Sequence, residues 1–327
     1  MKPEKQFSSD LLEIKDIEQV VNRITSKIRE DVLYVLRRKG GVVGISGGID
    51  SSVTLALGVL ALGAENLLGV ILPERDSNRG SRVLAQKLAD KFGVKTVVED
   101  LTQALIGFQC YLRRDEAVKR IIPNYNQATD KMKIGIPEDT PEKNLPPAFH
   151  VTVVHNDGFT ESKRLPVGEY LQIVAASNFK QRSRMAMLYY QAESLHYAVL
   201  GTPNKHEVQQ GFFVKYGDGA ADIMPIAGLY KSQVYQLAEF MGIPEEIIRR
   251  TPTTDTYPAE QTQEEFFYRL PFKEMDLLWY GWENGYPANE VATALGYTEA
   301  LVLKNFRDFE RKQRTTEYLR RAPIRDY

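Results

Sequence analysis

Apolar residues recur at three- and four-residue spacings near the start of the chain: Leu11, Ile14, Ile17, Val21, Ile24, Ile28, Val32 and Val35. That spacing predicts one amphipathic helix over 10–37, closed by Gly40-Gly41. Short apolar runs at 41–45 and 67–72 and a third strand at 95–98 follow, separated by helical patterns over 50–62 and 81–92. Strand and helix alternating at this interval predict β-α-β units, hence an α/β fold with a parallel sheet covered on both faces. Right-handed crossovers bring the C-terminal ends of all such strands to one edge, where ligands bind in open sheets.

The pattern breaks near Arg113. Residues 113–147 are rich in charge and in proline (Pro123, Pro137, Pro141, Pro146, Pro147) and hold no clean period. Alternation over 149–154, the turn Asn156-Asp157-Gly158 and a second run over 159–165 predict a β-hairpin. Residues 113–168 are therefore expected to be an insertion, a lid or an interface element without a core of its own, within a single domain spanning 1–327. Order returns at Phe179, with a helix over 182–197, a strand over 197–201 ending in Thr202, and a helix over 231–241. The polar, turn-rich stretch 251–269 suits an active-site flap, and the C-terminal part from Ala288 reads as helical.

Composition narrows the function. Among 327 residues, 43% are hydrophobic and 26% charged, and the net charge of −1 carries no footprint for general nucleic-acid binding. A single cysteine, Cys110, excludes an intramolecular disulfide and a Cys cluster for zinc, and reads as a small core residue. No 18-residue apolar run exists and the N-terminus is polar, so no membrane span is expected and the expected compartment is cytoplasmic.

Candidate chemistry begins at Gly44-Ile45-Ser46-Gly47-Gly48-Ile49-Asp50-Ser51, between the first strand and the following helix. Small residues there let backbone N–H groups wrap a phosphate, and the helix N-terminus adds partial positive charge. Asp50 offers a carboxylate to Mg²⁺, while Ser46 and Ser51 offer hydroxyls. An ordinary glycine-rich turn is the alternative, and a Walker A loop is excluded because no Gly-Lys-Ser/Thr closes the string. The eight residues resemble the pyrophosphate loop of the ATP pyrophosphatases.

Two further strings extend the likeness. They are Asn178-Phe179-Lys180-Gln181-Arg182-Ser183-Arg184-Met185, and the segment from Gly201-Thr202-Pro203-Asn204-Lys205-His206-Glu207 to Lys215-Tyr216-Gly217-Asp218-Gly219-Ala220-Ala221-Asp222. Together the three strings resemble the NAD synthetase family over most of 40–110 and 178–258. The resemblance implies a Rossmann-like, doubly wound parallel sheet of the adenine nucleotide alpha-hydrolase type, assembled as a homodimer. It also implies the reaction: ATP adenylates the carboxylate of deamido-NAD, and ammonia displaces AMP to give NAD, AMP and pyrophosphate. Asp50 and Glu207 match the family's magnesium carboxylates. Lys231, Thr202 and Thr253 match contacts to ATP, and Arg182, Lys215 and Asp222 match positions that hold deamido-NAD. Asp50, Lys215 and Lys231 are the catalytic candidates. Asp218 and Asp222 have a plainer reading as turn caps, Glu207 as a solvated helix residue, and Lys231 as a surface lysine.

Three departures keep a second reading open. The insertion is absent from compact members, the flap sequence Tyr257-Pro258-Ala259-Glu260-Gln261-Thr262-Gln263-Glu264-Glu265 is only loosely like the family's, and Arg311-Lys312 stands where a His-Lys pair often contacts the nicotinate end. A sibling amide ligase that adenylates a different carboxylate is the alternative; RNA modification and a nucleotide-binding protein without catalysis rank below it. A glutaminase would need a few hundred further residues and its own catalytic cysteine, so free ammonia or a separate glutaminase partner is expected.

Overall fold

The computed structural model describes residues 6–136, 149–253, 257–268 and 270–325; Pro137, Pro141, Pro146 and Pro147 lie outside them. Four parallel strands, β1 (Gly41–Gly44), β2 (Leu67–Ile71), β3 (Lys95–Val98) and β7 (Ala198–Leu200), lie in the order β3-β2-β1-β7. Gly41 pairs with Leu67 on one side and with Ala198 on the other, so the chain leaves β1 in one direction for β2 and returns beyond it for β7. That reversal opens a crevice at the C-terminal ends of β1 and β7.

One face of the sheet is covered by α1 (Ile17–Arg29), α2 (Ile49–Leu62), α3 (Arg79–Phe92) and α8 (Lys231–Phe240), which share a core with Val43, Ile45 and Ile71. On the other face, Met185, Leu188 and Ala192 of the 29-residue helix α6 (Val167–Leu195) pack on Val42, Leu68, Val70 and Val199. Strands β1, β2 and β7 show no polar–apolar alternation because both their faces are buried, whereas the edge strand β3 is exposed at Lys95 and Val98.

Beyond the sheet lie α4 (Thr102–Gly107), α5 (Cys110–Ile121), α7 (Lys205–Gln210) and α9 (Glu245–Ile248). A C-terminal group follows: α10 (Phe272–Glu283), α11 (Ala288–Leu295), α12 (Glu299–Thr315) and α13 (Glu317–Arg320). Trp279, Leu278, Val302 and Phe309 center a separate core there, joined by Phe7 and Leu12 from the N-terminus. Among the described residues no helix is long and apolar enough to cross a membrane.

Three elements differ from the sequence reading. The helix expected over 10–37 starts at Ile17, where Asp16 accepts a hydrogen bond from Gln19 N (2.9 Å), and continues as a wider π-turn to Val35. Ser9–Leu12 is a separate 3-10 turn whose Leu11 packs on the C-terminal core, so the apolar period joined residues of two cores. Helix α6 begins at Val167 instead of Arg182, because its first half buries Ile173, Ala176, Ser177 and Lys180 against a different neighbor from its second.

The third difference is the stretch after Arg113. It opens within α5, and α5 was hidden from any apolar period because its buried face carries Arg114 and Asp115. The expected hairpin is present as β5 (His150–Val154) and β6 (Thr160–Arg164), with Gly158 at φ +86 in its turn. A third antiparallel strand, β4 (Lys131–Gly135), joins β5. Met132, Ile134, Val151 and Val153 face α5 and α6 in a cluster with Ala117, Val118, Ile122 and Ile173, so this unit has an apolar core of its own.

Candidate functional site

The crevice between β1 and β7 is a cavity of about 520 Å³ whose floor is the loop Gly44–Ser51. Gly47 sits at φ +72, and a Cβ there would lie 2.6 Å from Ser81 O, so both backbone geometry and the close approach of α3 demand glycine. The loop is braced from within: Ser51 Oγ donates to Gly48 O (3.0 Å), and Gly48 N donates to Ser46 Oγ (3.3 Å). Helix α2 begins at Gly48 with no side chain capping it, leaving first-turn N–H groups for an anionic ligand at the cavity floor.

Asp50, in that first turn, meets two residues from distant parts of the chain. Its Oδ2 accepts a hydrogen bond from Lys231 Nζ, and its Oδ1 accepts one from Asn204 Nδ2 (3.2 Å). Asn204 also caps α7, accepting from Glu207 N (3.2 Å), while Glu207 Oε2 accepts from Asn204 N (2.9 Å). This reciprocal cap fixes Glu207 in the cavity wall beside Asp50. Burial, and then the negative charge of Asp50, pushes the Glu207 carboxyl up to about 8 although Lys231 pulls it down. Lys231 is fully buried; burial lowers its pKa, but Asp50 and Glu207 more than offset this and hold the ammonium above its ordinary value.

Asp50 and a Glu207 carboxyl that gives up its proton are the donor set Mg²⁺ takes when phosphate oxygens and water complete its shell. Among the described residues no cluster of three or more His, Cys, Asp or Glu exists that could hold a metal by protein ligands alone. The pair therefore fits a cation brought with a polyphosphate. A pH dependence follows for the metal-free protein. Glu207 binds its proton more tightly folded than unfolded, so the stability it contributes is complete below about 4.5 and is lost as pH rises through about 8. Glu207→Gln should thus flatten the decline in melting temperature across that window, measured with chelator present; an unchanged decline would mean Glu207 is not protonated there.

Thr202 and Thr253 line the same cavity, as does Arg250, whose Nη2 donates to Ser81 Oγ (2.8 Å). Like Arg250, two further lining residues, Arg184 and Asp218, have no ligand role assigned from sequence. Arg184 reaches from α6 toward Leu72 O (3.4 Å) and Gln181 Oε1 (3.3 Å). Asp218 accepts from Val214 N (2.7 Å), and burial pushes its carboxyl up to about 6. The turn-cap reading of Asp218 was correct but incomplete, since the same carboxyl also lines the cavity.

Other expected site residues do not converge on this cavity within one chain. Arg182 is exposed and donates to Lys215 O (3.1 Å). Lys215 Nζ donates to Tyr318 O (2.8 Å) and Arg321 O (2.7 Å), tying down the C-terminal turn. Asp222 accepts from Val199 N (2.7 Å) and Tyr189 Oη (3.3 Å) at the sheet edge. Arg311 pairs with Asp308, and Lys312 lies over the Phe267 ring at 4.8 Å. Of these, Lys312 touches the cavity lining through Phe267 and Asp222 touches it through Val199.

The sequence profile described as NAD synthase matches residues 19–135 and 152–323. Only residues 136–151 fall between the matched ranges, so most of the expected insertion lies inside them. The NH(3)-dependent NAD(+) synthetase of Mesorhizobium japonicum is 45% identical over 309 residues, 94% of this chain and 96% of its own. The enzyme of the same name from Thermotoga maritima is 34% identical over 260 residues, 79% of this chain and 84% of its own. Among solved structures, the NH3-dependent NAD synthetase of Campylobacter jejuni in complex with the nitrate ion superposes with a TM-score of 0.62 at 19% identity, covering 96% of this chain and 100% of that one. The NMN synthetase of Francisella tularensis gives 0.63 at 20%, covering 95% and 98%, and both share the α/β fold described above.

Proposed function

This chain belongs to the NAD synthase family, and from that premise we infer that it is an ammonia-dependent NAD synthetase, an ATP-dependent amide ligase. The observation that carries the reading is the meeting of Asp50, Glu207 and Lys231 at the uncapped start of α2. The nucleotide's phosphates lie along Gly44–Ser51, with Thr202 and Thr253 at their flanks. Asp50 and Glu207 are the residues that would hold Mg²⁺, which would supply positive charge beside the polyphosphate.

In the first step a carboxylate oxygen of deamido-NAD attacks the α-phosphorus of ATP and pyrophosphate leaves. Lys231 and the loop N–H groups stabilize the negative charge that builds on the leaving group. In the second, the lone pair of ammonia attacks the acyl carbon, AMP departs, and the nitrogen sheds a proton. Asp218 suits that proton transfer, since a carboxyl raised to about 6 accepts protons near neutral pH. Closing the cavity to water protects the adenylate between the steps.

The reading extends to a homodimer that supplies the rest of the deamido-NAD site. Its support is that Arg182, Lys215, Asp222 and Arg311 lie outside the cavity of one chain, while Leu171 and Tyr190 of α6 stay exposed. It also includes a cytoplasmic location and ammonia that is either free or delivered by a separate glutaminase. The test is AMP, pyrophosphate and NAD production from ATP, Mg²⁺, ammonium and deamido-NAD, with NAD followed by mass spectrometry. Equimolar NAD and AMP are expected; ATP cleavage that ignores deamido-NAD and responds to another carboxylic acid would transfer the assignment to the sibling ligase.

A further inference from the structure

The antiparallel unit β4–β6 and the flap meet at a seam that no step above uses. Ala259 N in the flap donates to Met132 O of β4 (3.2 Å), and Lys133 Nζ donates to Glu260 O (3.3 Å). Tyr257 is 4% exposed and belongs to the apolar core of the antiparallel unit, with its hydroxyl at Ser177 of α6. Phe266, further along the flap, packs on the same core and meets the Tyr257 ring edge-on at 6.0 Å. From the opposite side, Asn78 Nδ2 at the start of α3 donates to Glu260 Oε1 (3.4 Å).

The flap's inner side, Thr253, Tyr257, Gln263 and Phe266, lines the cavity. The antiparallel unit adds Phe149, which stacks on Tyr170 of α6 at 4.4 Å, to the same wall. The flap is therefore attached along one edge to a sheet with its own core, while its other side covers the nucleotide site.

We propose that the β4–β6 unit is the platform that holds residues 257–268 over the cavity and keeps water from the adenylate, with Tyr257 as the positioning residue. This rests on the synthetase reading for its consequence, though not for the docking itself. Water that reaches the adenylate attacks in place of ammonia, returning the carboxylate and releasing AMP without NAD. Loosening the seam should thus uncouple AMP release from NAD formation, which a purely stabilizing role would not do.

The experiment compares the full-length protein with Tyr257→Ala and with Ala259→Pro, which removes the N–H donor to β4 and stiffens the backbone there, and serves if the first variant folds poorly. Amide exchange at 257–268 should rise about tenfold or more with protection of β1–β3 retained, because the docking contacts hold that segment closed. In the coupled assay, AMP released per NAD formed should climb above one. Exchange that stays at the wild-type rate overturns the docking, and faster exchange with the ratio still at one overturns the role in excluding water. If wild-type protein forms no NAD, the synthetase reading and the proposed protection of the adenylate both fail, while the exchange result still decides the docking.

Discussion

Asp50→Asn is expected to lower pyrophosphate release by about three orders of magnitude, the scale of losing one preorganized charge contact at a reacting phosphate, while leaving the protein folded. Asp50 has two jobs in the structure, accepting the Lys231 ammonium and facing Glu207 across the cavity floor. Asparagine keeps the shape and one of the two accepted hydrogen bonds but removes the charge. Lys231 retains Glu207 as a counter-charge, and Glu207, freed of its like-charged neighbor, ionizes more readily. The fold therefore keeps a compensated ammonium even as the cation site loses half its carboxylates. The measurement is AMP and pyrophosphate release beside a melting curve; near-normal turnover would remove Asp50 from the metal and phosphate machinery.

Lys180→Met should produce the largest loss of stability. Lys180 is 2% exposed, and its Nζ donates to Glu74 Oε1 (3.1 Å) and Asp76 Oδ2 (2.6 Å) at the loop after β2. Arg114 of α5 donates to the same Asp76 oxygen and also pairs with Asp115 (2.7 Å), while Tyr111 Oη donates to Glu74 (2.7 Å). Removing one partner of such a group leaves uncompensated buried charge, which costs about 3–5 kcal/mol.

The same network gives an acid-side signature. Burial alone would raise the Asp76 carboxyl, but Lys180 and Arg114 hold it down at about 2. Its contribution is thus present above the ordinary value of 3.8 and is lost as pH falls through about 2. The variant should show a lower urea midpoint at pH 7 and a smaller stability loss on acidification. A midpoint equal to wild type would show that the network contributes little net stability.

Helix α5 shows why part of the fold was not legible. A search for apolar period assumes that a helix buries carbon, and α5 buries Arg114 and Asp115 against carboxylates and lysine contributed by the β2–α3 loop and α6. Strand β4 did carry a local signal, with buried Met132 and Ile134 alternating with Lys131 and Lys133, but five residues alternating beside a proline-rich stretch are too few to stand out. Asp218 was visible as a turn residue only, because its second role depends on a cavity assembled from β1, β7 and α6.

The sequence by itself determined the parallel sheet, the glycine-rich loop at its edge and the local cap that presents Glu207. Each depends on residues a few positions apart, whose backbone hydrogen bonding and burial repeat with a short period. Only the tertiary structure decided that Lys231 closes on Asp50 from 181 residues away, that Arg182, Lys215 and Asp222 stand outside the cavity of a single chain, and that the flap is seated on the antiparallel unit. Those outcomes follow from how layers pack and which buried charges find partners, and neither composition nor spacing along the chain encodes a distance between elements that meet only after folding.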